Sequence, residues 1–362
     1  MPNKKRLLII YASAGEGHRR AGEAIFKYLK EKIDKEVSII DALDFSNFLF
    51  KRFYRNGYSF LVKNLPFLWR IAYTISRFKF SKSIRFIVNR LNMQRLENYI
   101  LEYKPDIILS THFLSIEVVD YLKRKKFISS ESVVVITDFG VHHYWVFRSV
   151  DKYMVAFPST KEELILFGIK EDKISVTGIP VDLKFSINLN RDFLYKKFNL
   201  KEGLFTVLIV TAGFGLGPID KLVEILSKEI QLIVICGYNL RLYKRLERRN
   251  YQNVRLFGFV ENMEELMDVS DMIITKPGGL TISEALVKKL PMIFISPIFG
   301  QEIDNIKILR KMGIGLVLED IYKIKDFILR CKSDPKILSL MKQKISQIRK
   351  PLAVKEIVDA LC

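Results

Sequence analysis

Short apolar runs rich in β-branched residues alternate with helical patterns along most of the 362-residue chain. Such runs are typical of buried strands, and the segments between them have helical periodicity. Alternation of this kind predicts a mainly parallel sheet covered by helices on both faces. In the first half the predicted strands are Arg6–Tyr11, Val37–Asp41, Ile107–Ser110, Val133–Thr137 and Lys152–Ala156, with helices that include Arg20–Ile33 and Ile116–Lys125.

A second series of strands begins near Leu204, in LFTVLIV, QLIVICG, VRLFGFV, DMIITKPGG and PMIFISP. The stretch from Gly178 to Leu200 has no clean sheet pattern and is predicted to link the two series. A chain of this length exceeds one ordinary core. We therefore predict an α/β protein with two Rossmann-like, doubly wound domains, residues 1–182 and 183–342, that face each other across a cleft. Ligands should bind at the carboxyl ends of the strands.

The composition indicates a cytoplasmic protein. The basic N-terminus is followed by an apolar run that is short and leads into a glycine turn, which favours a buried strand over a signal peptide. No stretch supplies the roughly 20 apolar residues that a membrane-spanning helix needs. The three cysteines are scattered without paired spacing, which argues against a disulfide framework or a zinc site.

The segment from Phe45 to Leu96 supplies +11 of the formal net charge of +19, because it contains eleven Lys or Arg and no Asp or Glu. It also contains thirteen aromatic residues. We call it the basic aromatic segment. A nucleic-acid surface, a helical core and an amphipathic segment on an anionic membrane are three possible explanations. A plain core does not explain the absence of acids, and composition leaves the other two close.

The stretch TKPGGLTISEAL contains a Pro-Gly-Gly bend between a buried strand and a helix predicted to start near Thr281. Gly278 and Gly279 let backbone N–H groups approach a ligand, and the helix start adds partial positive charge, which suits a diphosphate. Glu284, one turn further, can accept hydrogen bonds from ribose hydroxyls. An ordinary tight turn with solvated side chains would give the same pattern.

A second polar cluster follows the next strand, in SPIFGQEIDN. Gln301, Glu302 and Asn305 carry amide and carboxylate groups that suit the hydroxyls of a sugar. A solvated helix start would carry the same residue types. Beside the Pro-Gly-Gly bend, this cluster predicts phosphate, ribose and sugar contacts at adjacent strand ends.

The first strand leads into ASAGEGHRRAGEAI, which places His18 directly after Gly17. A dinucleotide fingerprint needs a third glycine where Arg20 stands, which disfavours an NAD-dependent oxidoreductase although Asp41 closes the second strand. All four histidines follow predicted strands of the first domain: His18, His112, His142 and His143. This clustering favours a functional role for the first and, less strongly, for the second. For the other two, structural and functional roles are about equally supported.

The order of these motifs resembles that of a known family. VRLFGFVENMEELM, TKPGGLTISEAL and GQEIDN resemble the donor half of glycosyltransferases with the GT-B architecture. ASAGEGHRRAGEAI, THFLSIEVV and VITDFGVHHYWVFRSVDKYMVA resemble acceptor-side segments of monogalactosyldiacylglycerol synthases and bacterial processive diacylglycerol glucosyltransferases. The resemblance extends from about Leu7 to Leu318. One departure is Glu16, where the family often has glycine.

The resemblance implies an inverting transfer of glucose or galactose from a UDP-sugar to diacylglycerol, without a metal or other cofactor. The catalytic base would be His18 or Asp138, an alternative that stays open here. Acceptor contacts would come from Gly17, His112 and Trp145, although an aromatic residue at the last position is equally compatible with a core role. Donor contacts would come from Gly213, Phe214, Phe259, Val260, Lys276, Gly278, Gly279, Thr281, Glu284, Gln301, Glu302 and Asn305.

The resemblance also favours the membrane for the basic aromatic segment, with no nucleic-acid partner and a location on the inner face of the cell membrane. It further implies that a C-terminal helix, at about 343–362, packs back on the first domain. The nearest rival function is transfer of N-acetylglucosamine to a lipid-linked cell-wall precursor by the related peptidoglycan enzyme. The rival from another class is the NAD-dependent oxidoreductase.

Overall fold

The computed structural model describes residues 5–32, 36–76, 78–210 and 218–361. The chain divides into two compact units. The first unit runs to Leu183 and takes in Phe299–Asp304 and the C-terminal segment from Leu352. The second unit contains Lys184–Ile298 and Asn305–Pro351.

The first unit is built on a parallel sheet of six strands. The strands are β1 (Arg6–Tyr11), β2 (Glu36–Asp41), β3 (Ile107–Ser110), β4 (Glu131–Val135), β5 (Lys152–Val155) and β6 (Ile174–Val176). Their order across the sheet is β2-β1-β3-β4-β5-β6. Alternate residues of β1 enter two different cores: Leu7 and Ile9 pack on one face, Leu8 and Ile10 on the other. Burial on both faces explains why this strand is apolar throughout.

Helices cover both faces of this sheet. They are α1 (Glu16–Lys32), α2 (Phe48–Arg52), α3 (Tyr58–Asn64), α4 (Pro66–Ser76), α5 (Lys79–Asn92), α6 (Gln94–Tyr103), α7 (Phe113–Arg124) and α8 (Pro158–Leu166). Four of these, α2 to α5, come from the basic aromatic segment. The C-terminal segment of this unit adds Ile357, Val358 and Leu361 to the core beside α1 and β1.

The second unit has its own six-stranded parallel sheet. Its strands are β7 (Thr206–Val210), β8 (Gln231–Ile235), β9 (Val254–Phe257), β10 (Met272–Thr275), β11 (Met292–Phe294) and β12 (Leu316–Val317). They lie in the order β12-β11-β10-β7-β8-β9, which is the strand order of a dinucleotide-binding Rossmann fold. The remaining helices are α9 (Arg191–Lys197), α10 (Ile219–Leu226), α11 (Leu240–Glu247), α12 (Met263–Asp268), α13 (Gly279–Val287), α14 (Gln301–Lys311), α15 (Ile321–Ser333), α16 (Pro335–Ile348) and α17 (Ala353–Asp359).

The strand orders fix where a ligand should bind in each unit. In a doubly wound sheet, ligands bind outside the carboxyl ends of the strands where the winding direction reverses. That point lies between β1 and β3 in the first sheet and between β7 and β10 in the second. The residues after these strands include His18, Thr111 and the Pro277–Gly279 bend.

The prediction of two doubly wound α/β units is confirmed, with local differences. The short edge strands β6 and β12 were not predicted. α1 begins at Glu16 rather than Arg20, so His18 lies in its first turn. Glu16 pairs with Arg19 at 2.6 Å. An acidic side chain in the first turn also stabilises a helix, because it lies near the positive end of the helix dipole. The predicted linker contains α9. The predicted C-terminal helix at about 343–362 is divided between the end of α16 and α17.

Candidate active site

His18 is held by residues that follow two neighbouring strands. Its Nδ1 lies 2.8 Å from the carbonyl oxygen of Thr111, directly after β3, and 2.8 Å from the Oγ1 of Thr137, shortly after β4. The hydroxyl of Thr111 also donates to the backbone carbonyl of His18 at 2.9 Å. Thr111 therefore fixes both the ring and the main chain of His18 at the reversal point of the first sheet.

These contacts define the tautomer of His18. A carbonyl oxygen can only accept, so Nδ1 carries the proton and donates it toward Thr111, with Thr137 Oγ1 as a second oxygen beside it. The other ring nitrogen, Nε2, then carries the lone pair. Within the described ranges, no residue makes a hydrogen bond to Nε2. This nitrogen is therefore available to take a proton.

Burial lowers the pKa of His18 to about 4, an effect that outweighs the opposing hydrogen bond to Thr111. Removal from water disfavours the charged imidazolium. His18 is consequently neutral at physiological pH and has the protonation state that a general base requires.

His112 and Trp145 enclose the His18 ring. The His112 ring meets it edge-on, with centroids 4.6 Å apart, and the Trp145 ring lies 6.2 Å away. The Nδ1 of His112 accepts the N–H of Leu114 at 3.1 Å as the N-cap of α7, so its Nε2 carries the hydrogen. Burial, the neighbouring His18 and Arg85 hold the pKa of His112 well below its usual range. The imidazole rings of His18 and His112 are therefore both neutral.

Trp145, for which the sequence leaves an acceptor contact and a core role open, is a core residue. Its side chain is fully buried in the core of the first unit, among β4, β5 and α7 residues. It therefore supports the His18 ring from within, which is the alternative that the sequence left open. Gly17, the third predicted acceptor residue beside His112 and Trp145, lies in the first turn of α1 next to His18.

The acid that an NAD site would use is already bound within the protein. Asp41 accepts the N–H groups of Ser13 and Leu43 at 3.1 and 3.0 Å, and it pairs with Arg55 at 2.8 Å. A buried carboxylate with these partners is not available to a ribose. This arrangement disfavours the oxidoreductase alternative.

In the second unit, the Pro-Gly-Gly bend leads directly into a helix. Gly278 is the N-cap of α13 and Gly279 its first residue, so the helix starts two residues before the predicted Thr281. Thr281 is therefore a residue of the first turn and not the cap. A Cβ added to Gly278 would meet no heavy atom of the described residues within 4 Å, so among these residues open space lies beside the bend. That space and the helix N-terminus suit an anionic group.

Asn305 contacts the Pro-Gly-Gly bend. It is only 1% exposed, and its Nδ2 donates to the carbonyl of Pro277 at 3.0 Å. The Nδ2 group is therefore used inside the protein, and the predicted contact of Asn305 with a sugar stays a prediction. Through this hydrogen bond Asn305 fixes the bend that contains Gly278.

The other predicted donor residues fall into four groups. Lys276 and Glu284 are almost completely buried next to the bend and in α13, respectively. Gln301 and Glu302 begin α14, the helix after β11. Phe259 and Val260 follow β9 and are exposed or half-buried. Gly213 and Phe214 lie outside the residues that the structure describes.

Two threonines of the site were not predicted from the sequence. Thr111 and Thr137 each stand at the carboxyl end of a buried strand, directly before His112 and Asp138. That position is the signal that could have identified them, since parallel strands end at the same edge of a sheet. In the described part of the chain, no group of three His, Cys, Asp or Glu side chains is arranged to hold a metal ion.

Comparisons with known proteins agree with this architecture. Residues 18–181 match the family model of monogalactosyldiacylglycerol (MGDG) synthase, and residues 212–357 match that of the glycosyltransferase family 28 C-terminal domain. The chain is 30% identical over 375 residues to a processive diacylglycerol beta-glucosyltransferase of Bacillus cereus strain AH187, covering 100% of this chain and 94% of that protein. An enzyme of the same name from Bacillus thuringiensis strain Al Hakam is 30% identical over 378 residues.

Solved structures share the fold at low sequence identity. MurG of Acinetobacter baumannii aligns with a TM-score of 0.59 and 14% identity over 98% of this chain and 99% of that one. S. aureus MnaA, solved with UDP, aligns with a TM-score of 0.66 and 13% identity over 99% of this chain and 96% of that one.

The chain has two Rossmann-like units with motifs at the strand ends, and its second half matches a glycosyltransferase C-terminal domain. These features define a glycosyltransferase of the GT-B class. The full-length similarity narrows this class further. The chain belongs to the family of the monogalactosyldiacylglycerol synthases and processive diacylglycerol beta-glucosyltransferases.

Proposed function

We propose that this protein transfers a hexose, glucose or galactose, from a UDP-sugar to the free hydroxyl of diacylglycerol, with inversion at the anomeric carbon. Diacylglycerol is the acceptor in the printed name of its full-length relatives. UDP is the ligand in a structure that shares the fold. Together with the motifs at the strand ends, these similarities favour the proposal over other sugar transfers.

The observation that carries the proposal is a neutral His18 whose Nε2 carries a lone pair at the reversal point of the first sheet. An alcohol is a poor nucleophile, so a base must take its proton as the new bond forms. The diacylglycerol oxygen attacks the anomeric carbon while its proton passes to Nε2. The bond between that carbon and the UDP oxygen breaks, and UDP leaves with the electron pair from the opposite face.

The imidazolium formed in this step keeps its Nδ1 hydrogen bonds to the oxygens of Thr111 and Thr137. These oxygens stabilise the positive charge as it develops. Asp138 is the residue after Thr137, and we assign it the supporting role of a nearby negative charge. The base in this mechanism is His18.

The leaving group is stabilised in the second unit. The N-terminus of α13 and the open space at Gly278 suit the diphosphate, and Lys276 follows β10 at the same strand end. Glu284 would bind the ribose, and Gln301 and Glu302 the sugar. This distribution follows the strand order, because β11 and β10 are neighbours and β10 pairs with β7.

The direct test is incubation of the purified protein with labelled UDP-glucose, UDP-galactose or UDP-N-acetylglucosamine and diacylglycerol vesicles. Thin-layer chromatography should reveal labelled glycosyl-diacylglycerol with one of the two hexose donors. Label that enters lipid only from UDP-N-acetylglucosamine, with a lipid-linked cell-wall precursor as acceptor, would instead support the rival transferase.

We also propose that the basic aromatic segment binds the membrane that contains the acceptor. Many large apolar side chains of the segment are exposed in α2 to α5 and the turns beside them: Phe48, Leu49, Phe53, Phe60, Phe67, Phe78, Ile84, Ile87 and Leu91. Exposed apolar surface of this extent is typical of interaction sites. No helix in the described ranges is both long and apolar enough to span a bilayer.

Helix α5 has its apolar face outward and its polar face toward the protein. Ile84, Ile87, Val88 and Leu91 are exposed and recur at the spacing of one helix face. On the other face, Arg85 pairs with Glu117 of α7 at 3.1 Å, and Asn89 also donates to Glu117. A helix oriented in this way suits the acyl region of a bilayer better than water.

Several of the positive charges in the basic aromatic segment are bonded within the protein. Lys82 donates to the carbonyl of Val146 at 2.8 Å, and Arg90 pairs with Glu97. With Arg85, these charges of α5 are therefore bonded within the protein. Arg52 and Arg70 remain exposed. We infer that burial of apolar side chains contributes more to membrane binding than these charges do.

The double variant Ile84→Ser/Leu91→Ser should bind vesicles about 100-fold more weakly, since burying two such side chains contributes roughly 3 kcal/mol. The two side chains are 59% and 69% exposed, so the fold should be unaffected. Sedimentation with anionic vesicles measures the effect. The matched control is Leu166→Ser, which removes an 86% exposed leucine of α8 outside the segment and should bind as the wild type.

Salt separates the two modes of binding. Wild-type binding to the vesicles should persist at 0.5 M NaCl. At this salt concentration the Debye length is about 4 Å, so attraction between surface charges and anionic lipid is screened. Binding that vanishes in salt, together with an unaffected double variant, would contradict the assignment to the apolar face of α5.

A further inference from the structure

We propose that Tyr238 binds the nucleobase of the donor, as one ring of a two-ring platform with Phe259. This inference rests on the proposed UDP-sugar function and extends it to a residue that none of the sequence motifs includes. The two rings are stacked, with centroids 4.8 Å apart and planes 15° from parallel. Both remain exposed, Tyr238 by 64% and Phe259 by 38%.

The backbone holds the two rings in place. Tyr238 follows β8 and Phe259 follows β9, which is the neighbouring strand. The pairing continues past the strand ends, because the N–H of Gly237 donates to the carbonyl of Gly258 at 3.2 Å. Gly237 has a φ of 57°, in the left-handed region that glycine adopts readily. The turn therefore positions Tyr238 before any ligand binds.

An exposed, ordered stack suits a flat aromatic ligand. Tyr238 and Phe259 leave apolar ring surface in contact with water. A ligand that covers these rings would gain the free energy of burying that surface. A base stacked on an aromatic side chain gains about 1–3 kcal/mol, and a preformed platform loses little entropy on binding. Tyr238 is the more exposed ring, so it offers the larger free surface.

The strand order explains why this ligand would be a base. In the second sheet the order is β11-β10-β7-β8-β9 across the relevant strands. The diphosphate position lies at the reversal point between β10 and β7, and the candidate sugar contacts follow β11 along the chain. The nucleoside must then extend to the other side of the diphosphate, over β8 and β9. The two-ring platform is at the carboxyl ends of these two strands.

Titration of the full-length protein with UDP tests the assignment. Tyr238→Ala should raise the dissociation constant for UDP about tenfold, which lies within the range for one base on one ring. Tyr238→Phe keeps the ring and should bind UDP as the wild type does. Tyr322→Ala, which removes another exposed tyrosine of the same unit, is the control and should have no effect.

Saturation-transfer NMR on UDP provides a readout that a general loss of structure would not mimic. In the wild type, the uracil H5 and H6 protons should receive strong saturation relative to the ribose H1′ proton, and this ratio should fall in Tyr238→Ala. A variant with unchanged affinity and an unchanged ratio would overturn the role of Tyr238 while leaving the transferase proposal intact. A wild-type protein that binds no UDP would contradict the donor proposal itself.

Discussion

Replacing His18 with alanine should lower kcat by about 10³-fold, within the range that a positioned general base contributes. The dissociation constant for UDP should change less than twofold, since the residues proposed to bind UDP itself, Lys276, the Pro-Gly-Gly bend and Glu284, lie in the second unit. The reason for the large effect is that Nε2 of His18 is the group assigned to take the acceptor proton. Labelled sugar transfer to diacylglycerol vesicles gives kcat, and calorimetric titration gives the UDP affinity.

The pH dependence gives an independent check on the same residue. The pKa of His18 is lowered to about 4 by burial, so the neutral form persists at pH values where an exposed histidine is already protonated. We expect the acidic limb of kcat/KM to lie well below pH 6.5, with activity lost as the pH falls toward 4. A limb near 6.5 would contradict the burial of the catalytic histidine.

Thr137 provides a matched set of variants for His18. Thr137→Ser retains the oxygen beside Nδ1 and should keep most activity. Thr137→Val has nearly the same shape but removes the oxygen, so it should lower kcat with little change in KM. Asp138→Asn tests the second candidate base. If Asp138→Asn loses activity by about 10³-fold while His18→Ala stays active, the base is Asp138 and not His18.

The second large effect is expected at Glu284. Glu284→Ala should weaken UDP binding about 100-fold, because hydrogen bonds to a charged group contribute roughly 1.5–3 kcal/mol and a ribose offers two hydroxyls. Glu284 is almost completely buried in α13, close along the helix to the Pro-Gly-Gly bend. Calorimetric titration with UDP measures the change, and vesicle binding should be unaffected because the basic aromatic segment belongs to the first unit.

The control for Glu284 is its neighbour Ser283. The hydroxyl of Ser283 donates to the carbonyl of Gly279 at 2.8 Å, within the helix. Ser283→Ala should therefore retain the UDP affinity of the wild type. Since Glu284 is buried, the thermal midpoint of each variant should be measured as well. A folded Glu284→Ala protein with wild-type UDP affinity would exclude the ribose contact.

The fold could be predicted from the sequence because its signals are local. Strands buried on both faces must be apolar along their whole length, so β1 and β3 were predicted with the bounds that the structure has. The short edge strands β6 and β12 escaped prediction, since two or three residues are too few to establish a pattern. Helix α1 began earlier than predicted because Glu16 and His18 are compatible with a helix start as well as with a loop.

The candidate site was predictable only in part. His18 and the Pro-Gly-Gly bend lie in strand-to-helix junctions. Such junctions can be predicted from the sequence, because an apolar strand, a glycine turn and a helical pattern follow one another along the chain. Whether Asn305 contacts a sugar or the bend depends on the packing of α14. The residues around Asn305 in the sequence are compatible with both contacts, so the sequence does not distinguish them. The same holds for the charges of α5, whose inward orientation follows from the position of Glu117 on another helix.

By itself, the sequence determined two series of parallel strands, their glycine junctions and the histidine that follows the first strand, because these depend on periodicity and on residues close in the chain. Only the tertiary structure decided which nitrogen of His18 is free, that Trp145 is a core residue and that Tyr238 stacks on Phe259. Each of these depends on atoms from strands far apart in sequence, such as Thr111 and Thr137 at Nδ1. Their meeting is fixed by the order of strands in the sheet, and no local pattern encodes that order.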